Sequence, residues 1–144
     1  RYFKEFLSTL RFGHKHKIIS FQKSGLISND CINKDFDFSL ISFLKLEGPL
    51  FFGSTELFIN TYKNSQKHKY LIIDISKITT LDLSGIYALE DIILNAQKNN
   101  IVVFVLNTNP TIKLTIEKVG FIENIGKENY KETKDFINRL ITIS

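Results

Sequence analysis

Two short, almost wholly apolar runs, residues 70–75 and 101–106, bracket a stretch with helical periodicity. No other feature constrains the fold as much. A strand with one face in water alternates apolar and polar residues, and these two runs do not. Both of their faces must be covered, which is the condition of an inner strand in a parallel sheet flanked by helices. Between them, residues 84–98 set Ile86, Leu89, Ile92, Ile93 and Ala96 on one helical face. Strand, crossover helix, strand is the unit from which parallel sheets are built.

The alternation extends in both directions. Residues 39–46 are β-prone, and Gly48-Pro49 is expected to end that strand because proline cannot continue a central ladder. Ser54 or Thr55 can cap a helix to about residue 65, with Glu56 in its first turn. Ser84 is a natural cap for the helix to Lys98, and Asn99-Asn100 is a left-handed stop. Asn109 followed by Pro110 opens another helix, which buries Ile112, Ile116 and Val119 and stops at Gly120. Residues 121–125 read as a short strand. Asn129 and Glu132 have the spacing of a capping box before a last helix carrying Phe136, Ile137, Leu140 and Ile141. The expected class is α/β with a mostly parallel sheet. Ahead of it, residues 2–12 place Phe3, Phe6, Leu7 and Leu10 on one face of an amphipathic helix. A short strand at 18–21 and a polar loop at 22–37 follow.

Charge and composition remove several functions. The net charge is +4, but residues 1–17 hold five of the 19 Lys and Arg against one of the 15 acids, and residues 18–144 hold 14 of each. The body is neutral, so a basic groove for nucleic acid is not expected. A single cysteine, Cys31, rules out an intrachain disulfide framework. The longest uninterrupted apolar run, 101–106, is far short of the ~18 residues that span a bilayer. There is no methionine, position 1 included, so the chain is expected to be a piece of a longer one.

Few residues offer chemistry. His14, His16 and His68 lie in a basic arm and a polar turn, away from any strand end with a nucleophile, so a hydrolytic triad is not expected. His14-x-His16 lacks the accompanying carboxylate or thiol of a metal site. No glycine-rich phosphate loop is present. Asp74 ends a buried strand and Asp82 precedes a helix, where ligands of open α/β sheets gather. They either form an acid–base pair or satisfy turn amides. Ser84, followed by Gly85, lies where free N–H groups and the helix dipole favour an anion, such as its own phosphate or that of a nucleotide. It equally serves as a plain cap, and spacing does not separate the two. Pro49, Phe51 and Phe52, between Gly48 and Gly53, form either a partner surface or core packing.

Tyr70-Leu71-Ile72-Ile73-Asp74-Ile75-Ser76, followed by Leu81-Asp82-Leu83-Ser84-Gly85-Ile86-Tyr87-Ala88-Leu89, resembles the STAS domain (sulfate transporter and anti-sigma factor antagonist). The strand at 101–106 and the stretch from Pro110 to Phe121 match in order, and the resemblance covers about residues 38–142. Leu46-Glu47-Gly48-Pro49-Leu50-Phe51-Phe52-Gly53 is similar to the branch found at the C-terminus of SulP-type anion transporters. The resemblance implies a mixed, mostly parallel sheet of four or five strands, with about four helices packed mainly on one side. It divides the chain into a basic membrane-proximal connector, 1–37, and a STAS domain, 38–144.

The implied function is a cytosolic regulatory and interaction domain of a SulP-type transporter of sulfate or a related anion. Such a domain is not itself an enzyme and lies on the cytoplasmic side of the cell membrane. The implied partners are the membrane part of the same transporter, a second copy and a cytosolic regulatory protein. No resident cofactor is implied, although some relatives take a nucleotide, for which Asp82, Leu83, Ser84 and Gly85 are the candidate residues, with Asp74 supporting the turn. The competing expectation is a free-standing anti-sigma factor antagonist switched by phosphorylation of Ser84, the residue before the motif glycine. A small α/β enzyme using Asp74 or Asp82 ranks behind both.

Overall fold

In a computed structural model of the chain, residues 4–5, 41–50 and 69–143 are described. Five strands form one sheet in the order β1-β2-β3-β4-β5. They are β1 (Lys4–Glu5), β2 (Ile41–Leu50), β3 (Tyr70–Leu81), β4 (Val102–Leu106) and β5 (Tyr130–Lys131). β2 through β5 are parallel, and β1 runs antiparallel along β2 with Lys4 opposite Lys45 and Glu5 opposite Leu44. The described residues also form four α-helices: α1 (Leu83–Lys98), α2 (Pro110–Glu117), α3 (Phe121–Ile125) and α4 (Asp135–Ile143). The mixed, mostly parallel sheet is the one expected.

Each inner strand feeds two cores because its side chains alternate between faces. Leu71, Ile73, Ile75, Val103 and Val105 meet α1, α2 and α3 on one face, while Ile72 and Leu106 meet Phe136 and Ile137 of α4 on the other. Among the described residues, three helices therefore cover one side and one helix the other. The five residues assigned to the inner face of α1 are all buried. Asn100 stands at φ 64°, so the left-handed stop after α1 is present. Asn109 caps α2 with Pro110 in its first turn, and Ile112 and Ile116 are buried as expected.

Several expectations fail for identifiable reasons. Residues 121–125 form a helix rather than a strand. Gly120 turns left-handed at φ 72°, and the Asn124 amide then bonds Gly120 O at 3.0 Å. That turn brings Phe121 and Ile125 onto one face and into the core at 0% and 2% exposure. Asn129 does not cap the last helix. It closes a short 3-10 turn, Lys127–Asn129, and its side chain donates to Ile125 O at 2.8 Å. α4 starts only at Asp135.

β2 does not stop at Gly48-Pro49 but continues to Leu50. Its register with β3 shifts between Lys45 and Glu47 and again between Gly48 and Pro49. Gly48 accepts φ 83° there, and the irregularity accommodates a proline that a regular ladder would refuse. Lys4–Glu5 is extended along β2 rather than helical, satisfying main-chain groups on the outer edge of that strand. The remainder of the proposed 2–12 helix, the elements assigned to 18–37, and the 54–65 helix lie outside the described residues.

Candidate functional site

The carboxyl ends of β3 and β4 place most of the residues singled out by sequence, and they do so unequally. β4 pairs with β3 only as far as Asp74 opposite Leu106, whereas β3 continues to Leu81 beside β2. Asp74 is thus inside a strand rather than at its end. It is 6% exposed, and its Oδ1 accepts the Ser76 N–H at 2.9 Å.

Asp82, not Ser84, caps α1. Because β3 runs to Leu81, the chain has a single residue in which to turn from strand to helix. Asp82 takes the extended conformation that a cap requires, φ −92° and ψ 172°. Its Oδ1 accepts the Gly85 N–H at 2.7 Å, and its carbonyl accepts from Ile86 at 3.0 Å. Leu83 and Ser84 occupy the first two helical positions, and their amides have no hydrogen-bond partner among the described residues. Both side chains are exposed, Gly85 is buried, and the first turn of α1 holds no acidic residue. Chemically, this end offers two outward N–H groups and a hydroxyl to an acceptor.

Asp74 and Asp82 are not brought together. Eight positions of extended chain at about 3.3 Å each put them on the order of 25 Å apart. A carboxylate dyad acts over a few ångströms, so the acid–base pair is ruled out by β3 remaining a strand. Pro49 is brought close to the turn, since it pairs with Thr80 and Leu50 pairs with Leu81. The Gly-Pro segment therefore runs one strand away from the Asp82–Gly85 turn. Phe51 and Phe52 lie outside the described residues.

Sequence reasoning missed a second cluster, at the start of α2. Asn107 is 2% exposed and its side chain is fully engaged. Its Nδ2 donates to Tyr130 Oη at 3.0 Å and to Asn109 O at 3.1 Å, and its Oδ1 accepts the Asn109 N–H at 3.0 Å. Asn109 Oδ1 accepts the Thr111 N–H at 2.9 Å, and its Nδ2 donates to Ser76 O at 3.3 Å. Ser76 Oγ accepts the Thr108 N–H at 2.8 Å. Burial pushes the Tyr130 hydroxyl above its ordinary range, opposed by the bond donated from Asn107. Beside it, Lys113 bonds Glu132 at 3.2 Å, and that carboxylate holds the exposed ammonium above its usual range. The only signal for this cluster was Asn107 two residues before a cap, which spacing alone does not mark as buried.

Among the described residues, no group of three His, Cys, Asp or Glu side chains is placed to hold a metal ion. Glu90 is 8% exposed on α1 and accepts one bond, from Asn124 Nδ2 of α3 at 3.0 Å.

Comparison with known proteins adds the following. A family model described as STAS domain matches residues 38–136. Sulfate transporter 1.2 of Arabidopsis thaliana is 34% identical over 61 residues, which is 42% of this chain and 9% of the transporter. The aligned part of the chain thus spans about a tenth of that relative's length. The STAS domain of a SulP transporter from Vibrio cholerae is 25% identical, with a TM-score of 0.61 over 77% of this chain and 88% of that one. The structure of SLC26A9 shares the fold at 18% identity, with a TM-score of 0.61 over 79% of this chain and 22% of that one.

Proposed function

Because the chain belongs to the STAS domain family, we propose that it acts as the cytosolic regulatory and interaction domain of a SulP-type transporter of sulfate or a related anion, non-catalytic by itself. The observation that carries this reading is the likeness, along most of both chains, to the STAS domain of a SulP transporter. No helix among the described residues is long and apolar enough to cross a membrane, so the proposal assigns transport to another part of the same polypeptide. The basic residues of 1–17 then lie at the cytoplasmic face, where each Lys or Arg gains about 1 kcal/mol near anionic lipid.

The geometry supports a non-catalytic role. Asp74 and Asp82 each hold a main-chain amide, and β3 separates them. The start of α1 is assigned to an anionic group, a nucleotide phosphate or an acidic side chain of a regulatory protein, received by the amides of Leu83 and Ser84. Titration of the chain with ATP should move the amide resonances of residues 83–87. Shifts confined to residues outside α1 would remove this site.

The main reading is tested on the parent transporter in proteoliposomes, with and without residues 38–144. Loss of anion uptake, with insertion of the membrane part preserved, is the expected result. Unchanged uptake and regulation after the deletion would end the proposal. Recovery of the native parent protein in the soluble fraction would end it equally.

A further inference from the structure

Three of the five large apolar side chains exposed among the described residues, Leu83, Tyr87 and Leu94, lie on one stripe of α1. Asp91 and Lys98 fall on the same stripe, three residues before Leu94 and four after it. Both are exposed, because the opposite face of α1 is the one that packs into the core. Both charges are unpaired. Neither Asp91 nor Lys98 has an ion-pair partner among the described residues, and they stand about 10 Å apart along the helix without pairing with each other. A cavity of about 590 Å³ opens along the same stretch, bordered by Asp91, Leu94, Asn95, Gln97 and Lys98. An apolar side chain beside a hollow is thus flanked by an acid on one side and a base on the other.

The order acid, leucine, base is complementary to its own reverse. Laid antiparallel about a two-fold axis beside Leu94, a second α1 sets its Lys98 against Asp91 and its Asp91 against Lys98, and the two Leu94 side chains meet between them. Other arrangements lose this match. A parallel pair in register opposes Asp91 to Asp91 and Lys98 to Lys98, and an antiparallel pair centred on Asp91 sets carboxylate against carboxylate. A foreign helix would have to carry the matching pattern independently, whereas a second copy carries it by symmetry. We propose that α1 is a homodimer contact, in which the Asp91–Lys98 stretch of one chain packs antiparallel against that of a second copy. Leu83 and Ser84 then lie beyond the end of the second α1, so the start of the helix stays open. The contact is small, and the dimer is accordingly weak. The pairing involves α1 alone, so its failure would leave the transporter assignment untouched.

Sedimentation equilibrium of the whole chain, taken up to about 1 mM, should show monomer and dimer in exchange. Amide resonances that shift on dilution should centre on residues 91–98. Lys98→Glu and Asp91→Lys, both at exposed positions, should each weaken the dimer about tenfold, with the circular dichroism of the fold unchanged. Mixing the two variants should recover at least the wild-type affinity, because one chain then presents two cations and the other two anions. The double variant carrying both reversals should dimerise as the wild type does. Dilution shifts that map outside α1, or no recovery on mixing, overturn the proposal. A monomer at every concentration overturns it too, and leaves the stripe to a different protein.

Discussion

α1 and α2 both begin at the carboxyl edge of the sheet behind a polar cap, but the two starts are built differently. Asp82 holds the Gly85 amide and is otherwise exposed, leaving the Leu83 and Ser84 amides unbonded among the described residues. Asn109 caps Thr111, reaches back to Ser76 of β3 and exchanges two bonds with buried Asn107, which in turn holds Tyr130 of β5. A ligand at the start of α2 would have to displace bonds that join β3, β4 and β5. One at the start of α1 would displace only water. The same local device therefore serves as scaffold in one place and, among the described residues, leaves two amide donors unbonded in the other.

Asn107→Ala should break this comparison most severely. It removes three side-chain hydrogen bonds from a buried position and strands the Asn109 amide. Such losses cost about 1–3 kcal/mol for each group left unsatisfied, so about 3 kcal/mol is expected in total. Urea unfolding at neutral pH measures it as a lower midpoint with an unchanged slope. A cost below about 1 kcal/mol would mean that the α2 start is no more firmly built than the α1 start.

The contrast between the two starts was only half legible in the sequence. The inner strands were readable because 70–75 and 101–106 lack alternation, and the buried face of α1 because its apolar residues repeat at helical spacing. Asn109-Pro110 announced α2 through a cap and a proline acting together. At α1 the cap was misplaced by two residues. Asp82 and Ser84 can both cap, and the choice depends on β3 running to Leu81, which no local pattern in Lys77, Thr79 and Thr80 required. Residues 121–125 have too few positions to separate periods of two and 3.6, and the left-handed Gly120 decides for helix. The role of Asn107 rests on contacts with Tyr130, distant in sequence, and pattern reading cannot supply such contacts.

A smaller effect sharpens the comparison through the caps themselves. Asp82→Ala should cost about 1 kcal/mol, the ordinary value of one cap bond at an exposed helix start. Asn109→Ala should cost about 2 kcal/mol, since it loses its bond to Ser76 O along with the cap. Thermal unfolding of the two variants under one buffer condition ranks them. Equal shifts in Tm would show that the reach back to Ser76 contributes nothing.

The smallest effect is a slope with pH. Burial raises the Tyr130 hydroxyl above the ordinary value of about 10, so the folded chain keeps a proton that the unfolded chain has begun to release. The associated stability is complete below about pH 10 and is lost as pH rises from there through the folded value. Tyr130→Phe has no such proton. At neutral pH the variant should be less stable by about 1 kcal/mol, from the bond lost with Asn107. Above about pH 10 the wild-type protein alone pays for ionising Tyr130, and the gap between the two urea midpoints should narrow. A gap that stays constant from about pH 8 to about pH 11 would mean that burial does not hold the Tyr130 hydroxyl protonated.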